Sequence, residues 1–251
     1  MDRKIKVGAV NYLNTKPLLY GIENNASLKT SMDLSVEYPA LLAQLLKQDL
    51  LDIALLPVAA IPEIEGARIV SNYGIATDGD VVSVALFSQV PIEQIEQVYL
   101  DYQSRTSVQL AQILLKEYWN KELQYLDATP DYIFDIKGTT AGVIIGDRAL
   151  KHLPDFKYVY DLGSAWKAHT GLPFVFAAWV ANKDLPQSFL NTFDEANALG
   201  LTVLEQIAMN NEVPYYDLKK YYQTDLSYLL DANKKKGLNL FLEKIGTHIK
   251  F

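Results

Sequence analysis

Residues 81–88 read Val-Val-Ser-Val-Ala-Leu-Phe-Ser, a long apolar run that interrupts the rhythm of the chain. A second run of the same kind, Phe-Val-Phe-Ala-Ala-Trp-Val-Ala, fills residues 174–181. Both are typical of buried strands, and the segment between them carries its own set of strands and helices. We therefore predict one lobe inserted into another, with the chain crossing between the lobes near residues 86–90 and 174–178.

This division assigns residues 1–87 and 177–251 to the first lobe and residues 88–176 to the second. Short apolar strands alternate with helical periodicity along the chain, which is typical of an α/β protein. Besides the two long runs, the expected strands cover residues 5–10, 34–38, 52–58, 98–102, 123–128, 141–145 and 158–162. Only helices are expected after residue 181. The last of these helices has apolar residues at helical spacing: Leu238, Phe241, Leu242, Ile245 and Ile249. The predicted fold is a two-lobed α/β clamshell with a helical C-terminal tail and a ligand cleft between the lobes.

The composition is that of an ordinary globular protein, with 251 residues, 49% of them hydrophobic and 21% charged. A formal net charge of −7 argues against nonspecific binding of nucleic acid, which requires clustered Lys and Arg. The chain has no cysteine, which excludes disulfides, thiolate nucleophiles and cysteine metal sites. His152, His169 and His248 are scattered without metal-ligand spacing, so no metal site is expected.

The chain shows neither a signal peptide nor a membrane span. Residues 1–6 lead directly into the first expected strand, without an apolar stretch or a cleavage site. No apolar run approaches the ~20 residues that a membrane helix needs. We therefore expect a soluble, cytoplasmic protein without a membrane partner.

Residues 104–107, Ser-Arg-Thr-Ser, follow an expected strand and begin an amphipathic helical stretch. Three hydroxyls, a guanidinium and unpaired backbone N–H groups at a helix N-terminus would form an anion receptor. Arg105 would add the planar fork that suits a carboxylate or a phosphate. The alternative is a plain helix cap, because Ser and Thr are common at that position.

Further loops carry polar side chains at the ends of predicted elements. Residues 12–17, Tyr-Leu-Asn-Thr-Lys-Pro, offer an amide, a hydroxyl and an ammonium, or else simply cap the next helix. Residues 74–80 form either a glycine-rich turn before the strand that carries Ser83 or a weak metal candidate. Gly146 and Asp147 follow a strand directly, where open α/β sheets bind ligands, although Asp147 can also cap a helix.

The loop before the second long run offers an aromatic wall in Trp166, a hydroxyl in Thr170 and a tight turn at Gly171. The alternative is that these residues serve only ordinary hinge packing. The chain has no Gly-x-Ser-x-Gly elbow, no Walker loop and no Gly-x-Gly-x-x-Gly turn after a strand. Hydrogen-bond donors recur instead at several helix starts. This combination favours a small anionic ligand with more than one carboxylate.

Seven windows of the chain, taken in order, match the motifs of one known family. The first, residues 8–18, reads Gly-Ala-Val-Asn-Tyr-Leu-Asn-Thr-Lys-Pro-Leu. The others are residues 52–58, 74–84, 104–107, 145–147, 161–166 and 170–177. Together they resemble the chorismate dehydratases, which catalyse the first step of the futalosine route to menaquinone. The resemblance spans residues 5 to about 181, and the tail beyond matches no motif.

The resemblance implies a fold like that of the type 2 periplasmic binding proteins. It also implies dehydration of chorismate to 3-[(1-carboxyvinyl)oxy]benzoate without a metal or an organic cofactor. Asn14 and Ser83 are implied as the catalytic residues. The expected substrate-binding residues are Tyr12, Ser104, Arg105, Thr106, Ser107, Gly146, Asp147, Thr170 and Gly171.

Neither Asn14 nor Ser83 is a good base at neutral pH, because an amide does not titrate and no base is evident beside the serine. The proton acceptor would be a carboxylate of the substrate or Asp147, and we favour the substrate. A sister enzyme that makes 1,4-dihydroxy-6-naphthoate shares the fold, but the sequence of residues 12–14 favours the dehydratase. A cytoplasmic solute-binding module for a small carboxylate, without chemistry, stays an alternative.

Overall fold

The computed structural model describes residues 3–247. Within that range the strands are β1 Ile5–Ala9, β2 Met32–Val36, β3 Ile53–Pro57, β4 Arg68–Thr77, β5 Val84–Ser88, β6 Gln97–Leu100, β7 Gln124–Asp127, β8 Thr140–Ile145, β9 Tyr158–Asp161, β10 Phe174–Ala181 and β11 Ser227–Leu229. The α-helices of the same range are α1 Lys16–Asn24, α2 Ala26–Ser31, α3 Pro39–Lys47, α4 Arg105–Glu117, α5 Gly146–His152, α6 Leu162–Thr170, α7 Gln187–Leu201, α8 Leu204–Asn210, α9 Leu218–Lys220 and α10 Ala232–Lys244. The predicted two-lobed α/β fold is confirmed.

The larger sheet has six strands in the order β11-β4-β10-β3-β1-β2. β1 runs parallel to β2 and β3, whereas β10 runs antiparallel to β3 and β4. Ala177 of β10 is in register with Pro57 on one side and with Ile75 on the other. The centre of this sheet therefore brings three distant segments of the chain side by side.

The smaller sheet has five strands in the order β7-β6-β8-β5-β9. β6 runs parallel to β7 and β8, and β5 runs antiparallel to β8 and β9. At the start of β5, Val84 pairs with Ile145, the last residue of β8. The beginning of β5 and the beginning of α5 consequently lie at the same edge.

The chain changes sheets twice, but earlier than predicted. β4 in the larger sheet ends at Thr77 and β5 in the smaller sheet begins at Val84, so the first crossing is residues 78–83. The second crossing, residues 171–173, lies between α6 and β10, which belongs to the larger sheet along its whole length.

The predicted crossings near residues 86–90 and 174–178 were therefore wrong. The two apolar runs are long because β5 and β10 are buried on both faces of their sheets along almost their whole length, not because they bridge the lobes. The predicted lobe boundaries, at residues 87/88 and 176/177, would each divide a strand. Because each strand belongs to one sheet along its whole length, we propose that the lobe boundaries lie within the two crossing segments, residues 78–83 and 171–173.

Two further differences concern short or half-exposed elements. Residues 74–77, expected in a glycine-rich turn, belong to β4, whose first half alternates buried and partly exposed residues and lacks a continuous apolar run. The C-terminal tail is not wholly helical, because β11 pairs antiparallel with β4. β11 has only three residues, too few to show a periodic pattern.

Two glycines set the position of the N-terminal helix. A Cβ atom added at Gly21 of α1 would lie 1.7 Å from the carbonyl oxygen of Ala196 in α7. A Cβ atom added at Gly200 of α7 would lie 1.8 Å from the carbonyl oxygen of Pro17. The two helices thus pack backbone to backbone, which only glycine permits at these points. This contact fixes α1 and, with it, the turn that precedes the helix.

Candidate active site

A cavity lies between the two sheets, where their central strands end. Its apolar wall is formed by Leu55, Pro57, Ile75, Val84, Phe176 and Ala177. The polar side chains that line it are Tyr12, Asn14, Ser83 and Gln103, with three hydroxyls at the start of α4. Ligands of open α/β sheets bind at such strand ends. No Asp, Glu, Lys or Arg side chain of residues 3–247 lines this cavity.

Asn14 reaches the cavity from the single turn of 3₁₀-helix Leu13–Thr15, between β1 and α1. Its side-chain oxygen accepts a hydrogen bond from the Thr15 hydroxyl at 3.1 Å. The amide N–H₂ group is then what Asn14 can offer to a ligand. Tyr12 lines the same side, and burial raises the pKa of its hydroxyl, which therefore stays a neutral donor.

Ser83 enters the cavity from the end of the first crossing segment, just before β5, and is 1% exposed. Its Oγ accepts a hydrogen bond of 2.7 Å from the hydroxyl of Tyr221, which is fully buried. Burial raises the pKa of Tyr221, which keeps this phenol protonated. Because Oγ is already an acceptor, the Ser83 proton is free to be donated to a ligand.

The start of α4 contributes Ser104, Thr106 and Ser107 to the cavity. The Ser104 Oγ accepts from the backbone N–H of Ser107 at 3.1 Å and donates to the Ser107 Oγ at 2.8 Å. Ser104 therefore both caps α4 and lines the cavity. The Thr106 Oγ1 accepts from the backbone N–H of Ala59 at 3.1 Å, which joins the two lobes across the cavity.

Arg105 does not belong to the cavity, contrary to the predicted anion fork. Its guanidinium forms an ion pair with Glu63, and both side chains are more than half exposed, at 60% and 56%. The reason is helical rotation, because the neighbours Thr106 and Ser107 are buried and turn Arg105 toward the outside. The start of α4 therefore presents hydroxyls, and no charged side chain, to the cavity.

Gly146 lines the cavity, whereas Asp147 points away from it. Gly146 has a φ of +64°, which suits glycine, and its N–H donates to the carbonyl oxygen of Ser83 at 2.7 Å. The Asp147 Oδ1 accepts from the backbone N–H of Leu13 at 3.2 Å. Burial raises the pKa of Asp147. Asp147 therefore ties the smaller lobe to the turn that carries Asn14.

Thr170 and Gly171 do not line the cavity either. The Thr170 hydroxyl donates to the carbonyl oxygen of Trp166 at 2.8 Å and accepts from the N–H of Leu172 at 3.2 Å. Gly171, at a φ of +74°, ends α6 in the left-handed conformation. Their polar groups end α6 at the second crossing, which agrees with the alternative prediction of ordinary hinge packing.

Tyr221 is the polar residue that sequence reasoning missed. It lies in the tail, in a π-helical turn Tyr221–Asp225, and no motif marks it. The apolar spacing of Leu218, Tyr221 and Tyr222 indicates only a buried helix face, and all three are buried. Its contact with Ser83 spans 138 residues of sequence, so local pattern could not reveal it.

The other expected groups lie elsewhere. His152 pairs with Asp155 at 2.7 Å and His169 with Glu117 at 3.3 Å, while His248 falls outside the described residues. Among residues 3–247, no group of three or more His, Cys, Asp or Glu side chains could hold a metal ion. Over the same range, no helix is both long and apolar enough to cross a membrane.

Solved structures with a similar fold cover nearly the whole chain at low sequence identity. A protein from Archaeoglobus fulgidus matches with a TM-score of 0.73, at 15% identity and over 98% of both chains. A Candida albicans gene product, described as having the generic periplasmic binding protein fold, matches with a TM-score of 0.58 at 13% identity, over 98% of this chain and 96% of that one. These likenesses support the fold alone.

Sequence comparison gives closer relatives. A chorismate dehydratase from Thermus thermophilus is 29% identical over 203 residues, which are 70% of this chain and 72% of that protein. A chorismate dehydratase from Campylobacter jejuni is 26% identical over 166 residues, 64% of this chain and 74% of that protein. A family model described as menaquinone biosynthesis matches residues 5–246, which takes in both lobes and the tail. The chain therefore belongs to the menaquinone biosynthesis family.

Proposed function

We propose that this protein is a chorismate dehydratase that eliminates water from chorismate to give 3-[(1-carboxyvinyl)oxy]benzoate, the reaction that opens the futalosine route. The observation that carries the proposal is the meeting in one cavity of Asn14, from the turn after β1, and Ser83, from the first crossing segment. The resemblance in sequence implies these two as catalytic residues. Relatives named chorismate dehydratase support the proposed activity.

Substrate binding would rely on neutral donors. Chorismate carries two carboxylates, and the start of α4 offers hydroxyls and N–H groups at the positive end of a helix. Apolar residues on the opposite wall, such as Ile75 and Phe176, would contact the ring. Because the cavity walls carry no carboxylate among the described residues, a dianion would meet no like charge there.

The chemistry is removal of the proton at C3 and departure of the hydroxyl at C4. The product ring is aromatic, so the reaction runs strongly downhill and needs orientation more than driving force. Asn14 and Ser83 both retain protons to donate, which suits them to hold a substrate oxygen and stabilise developing negative charge. Neither residue would act as the base.

We infer that a carboxylate of the substrate takes the C3 proton. Asp147, the alternative, lies outside the cavity and its Oδ1 is used by Leu13. A general base must come within hydrogen-bond reach of the proton that it removes. The position of Asp147 therefore favours the substrate-assisted route.

The proposal is tested by mixing the purified protein with chorismate and following the ultraviolet spectrum. We expect the diene absorbance to decay and an aromatic product to appear, whose mass is that of chorismate less one water. The Ser83→Ala and Asn14→Ala variants should bind chorismate but convert it at least roughly 100-fold more slowly. Binding without any spectral change in the wild type would instead indicate a solute-binding module. Formation of 1,4-dihydroxy-6-naphthoate from a later intermediate of the same route, without conversion of chorismate, would indicate the sister enzyme.

A further inference from the structure

Ser83 follows a residue in an unusual backbone conformation. Val82 has a φ of +52°, in the left-handed region that β-branched side chains rarely adopt. The N–H of Ser83 donates to the carbonyl oxygen of Val81 at 2.6 Å, which closes a tight three-residue turn. Such a conformation is strained and persists only where its surroundings enforce it.

A single carboxylate enforces it here. The Asp161 Oδ2 accepts from the N–H of Val81 at 2.9 Å and from the N–H of Val82 at 2.6 Å. These consecutive N–H groups have no strand partner, because β5 begins only at Val84. Ionised carboxylates accept such bonds more strongly than neutral groups do. Asp161 is thus the group that holds both donors of the turn in place.

Asp161 is itself fixed by two elements. Its Oδ1 accepts from the N–H of Ser164 at 2.9 Å and so caps α6. Its backbone ends β9, where it pairs with Ala85 of β5. The carboxylate therefore joins three elements around the start of β5 and has little freedom to move.

The turn sets where the Ser83 hydroxyl lies. On one side the carbonyl oxygen of Ser83 receives the N–H of Gly146, and on the other the Oγ receives the hydroxyl of Tyr221. Both contacts require the peptide of Ser83 to have the orientation that the strained turn gives it. A relaxed turn, with Val82 at negative φ, would rotate this peptide and break them.

We propose that Asp161 is a positioning residue for the reaction. Its carboxylate holds the turn at residues 81–83 in the strained form that aims the Ser83 hydroxyl into the cavity. Asp161 itself does not line the cavity and would touch no substrate. The proposal rests on the catalytic role proposed for Ser83.

The test is a double-mutant cycle of Asp161→Asn, Val82→Gly and their combination. Asn keeps one oxygen to cap α6 but turns an N–H₂ group toward the two N–H donors. We expect Asp161→Asn to lower kcat roughly 10- to 100-fold with KM changed less than about threefold, as small misplacements do. Glycine adopts positive φ without strain, so Val82→Gly alone should stay within about fivefold of the wild type.

The combination decides between positioning and mere capping. If Asp161 acts by holding the strained turn, the kcat of the double variant should be at least about tenfold higher than that of Asp161→Asn, because a glycine turn needs no restraint. If Asp161 only stabilises α6, Val82→Gly restores nothing, and the proposal is wrong. Unchanged kcat in Asp161→Asn, with Ser83→Ala inactive in the same assay, would overturn it equally.

A measurement without turnover separates this proposal from the assigned reaction. Hydrogen exchange of the N–H groups of Val81 and Val82 should accelerate at least roughly tenfold in Asp161→Asn, while exchange in the middle of β8 stays unchanged. Slow exchange in the variant would overturn the proposed restraint even in an active enzyme. If the wild type does not convert chorismate but Asp161→Asn still shows the faster exchange, the proposed reaction is wrong and the proposed restraint stands.

Discussion

At the scale of the residue, Asn14 and Ser83 share one property. Each has its acceptor oxygen occupied by a neighbour, Thr15 for the amide and Tyr221 for the hydroxyl. Each is therefore left with protons to donate. This arrangement suits the binding of a departing hydroxyl or a substrate carboxylate, and it does not suit proton abstraction.

Arg105 and Ser107 should separate the outer face of α4 from the cavity face. Arg105→Ala should change KM less than about threefold, because its exposed pair with Glu63 is worth at most about 1 kcal/mol. Ser107→Ala removes a buried hydroxyl that lines the cavity and should weaken binding roughly 10- to 100-fold. Steady-state kinetics on the two variants checks this, and a larger loss in Arg105→Ala would mean that the arginine turns inward with substrate.

Asp147→Asn tests the proton acceptor. The asparagine can still accept from Leu13, so the contact between the lobes is retained. We expect more than about a hundredth of the wild-type turnover to remain, because removal of a general base typically costs 10²–10⁴-fold. A loss near 10⁴-fold, with folding and product affinity intact, would make Asp147 the base.

Asp161 should also leave a signature in stability against pH. Burial, with a smaller contribution from the charge of Asp80, raises the pKa of Asp161 to about 6 from an ordinary 3.8. The folded protein thus holds a proton that the unfolded chain releases between about pH 4 and 6. The stability that this proton gives is present at low pH and is lost as pH rises through about 6.

Between pH 4 and 7.5, the unfolding free energy of the wild type should therefore fall relative to that of Asp161→Asn, by about 2 kcal/mol. Urea unfolding of both proteins at the two pH values measures this difference. A constant difference would mean that Asp161 titrates alike in the folded and unfolded chains.

At the scale of the element, the strands that are buried along their whole length were the easiest to predict from the sequence. β5 and β10 were evident as apolar runs because both faces of each strand are buried. β4 was not predicted, because buried residues alternate with more exposed ones in its first half and form no continuous apolar run. Residues 74–77 therefore resembled a glycine turn. The N-cap pattern located the start of α4, but a cap does not specify which side of the helix Arg105 occupies. Contacts such as Tyr221 with Ser83 depend on tertiary packing, which no local window encodes.

The contact of α1 with α7 offers an element-scale prediction. Gly200→Ala would push a methyl group against the carbonyl oxygen of Pro17, a backbone atom that cannot rotate away. We expect destabilisation of at least about 2 kcal/mol, together with a fall in kcat as the Asn14 turn shifts. Leu199→Ala, at an exposed neighbouring position in α7, is the control and should alter both quantities little. Denaturant unfolding and kinetics on the pair measure the two effects.

At the scale of the whole molecule, the cavity is closed by contacts between the lobes on both of its sides. Thr106 meets Ala59 on one side, and Asp147 meets Leu13 on the other. Because these contacts hold the lobes together beside the cavity, we expect an open form without ligand and a closed form with it.

Small-angle scattering with and without the reaction product should therefore show a smaller radius of gyration in the saturated protein. Asp147→Ala, which removes one closing contact, should leave the free protein at least as open and should need more product to contract. Identical radii in the presence and absence of saturating product would instead indicate a rigid, preformed cleft.

The central place of β10 has a consequence for how the protein is made. The smaller sheet is complete once residue 161 has left the ribosome, since all its strands lie between residues 84 and 161. The larger sheet must wait, because β10 inserts between β3 and β4, both synthesised about a hundred residues earlier. During that interval two apolar strands have open edges, the condition in which nascent chains associate wrongly. The nascent protein should therefore depend on chaperones most while residues 88–181 are being added.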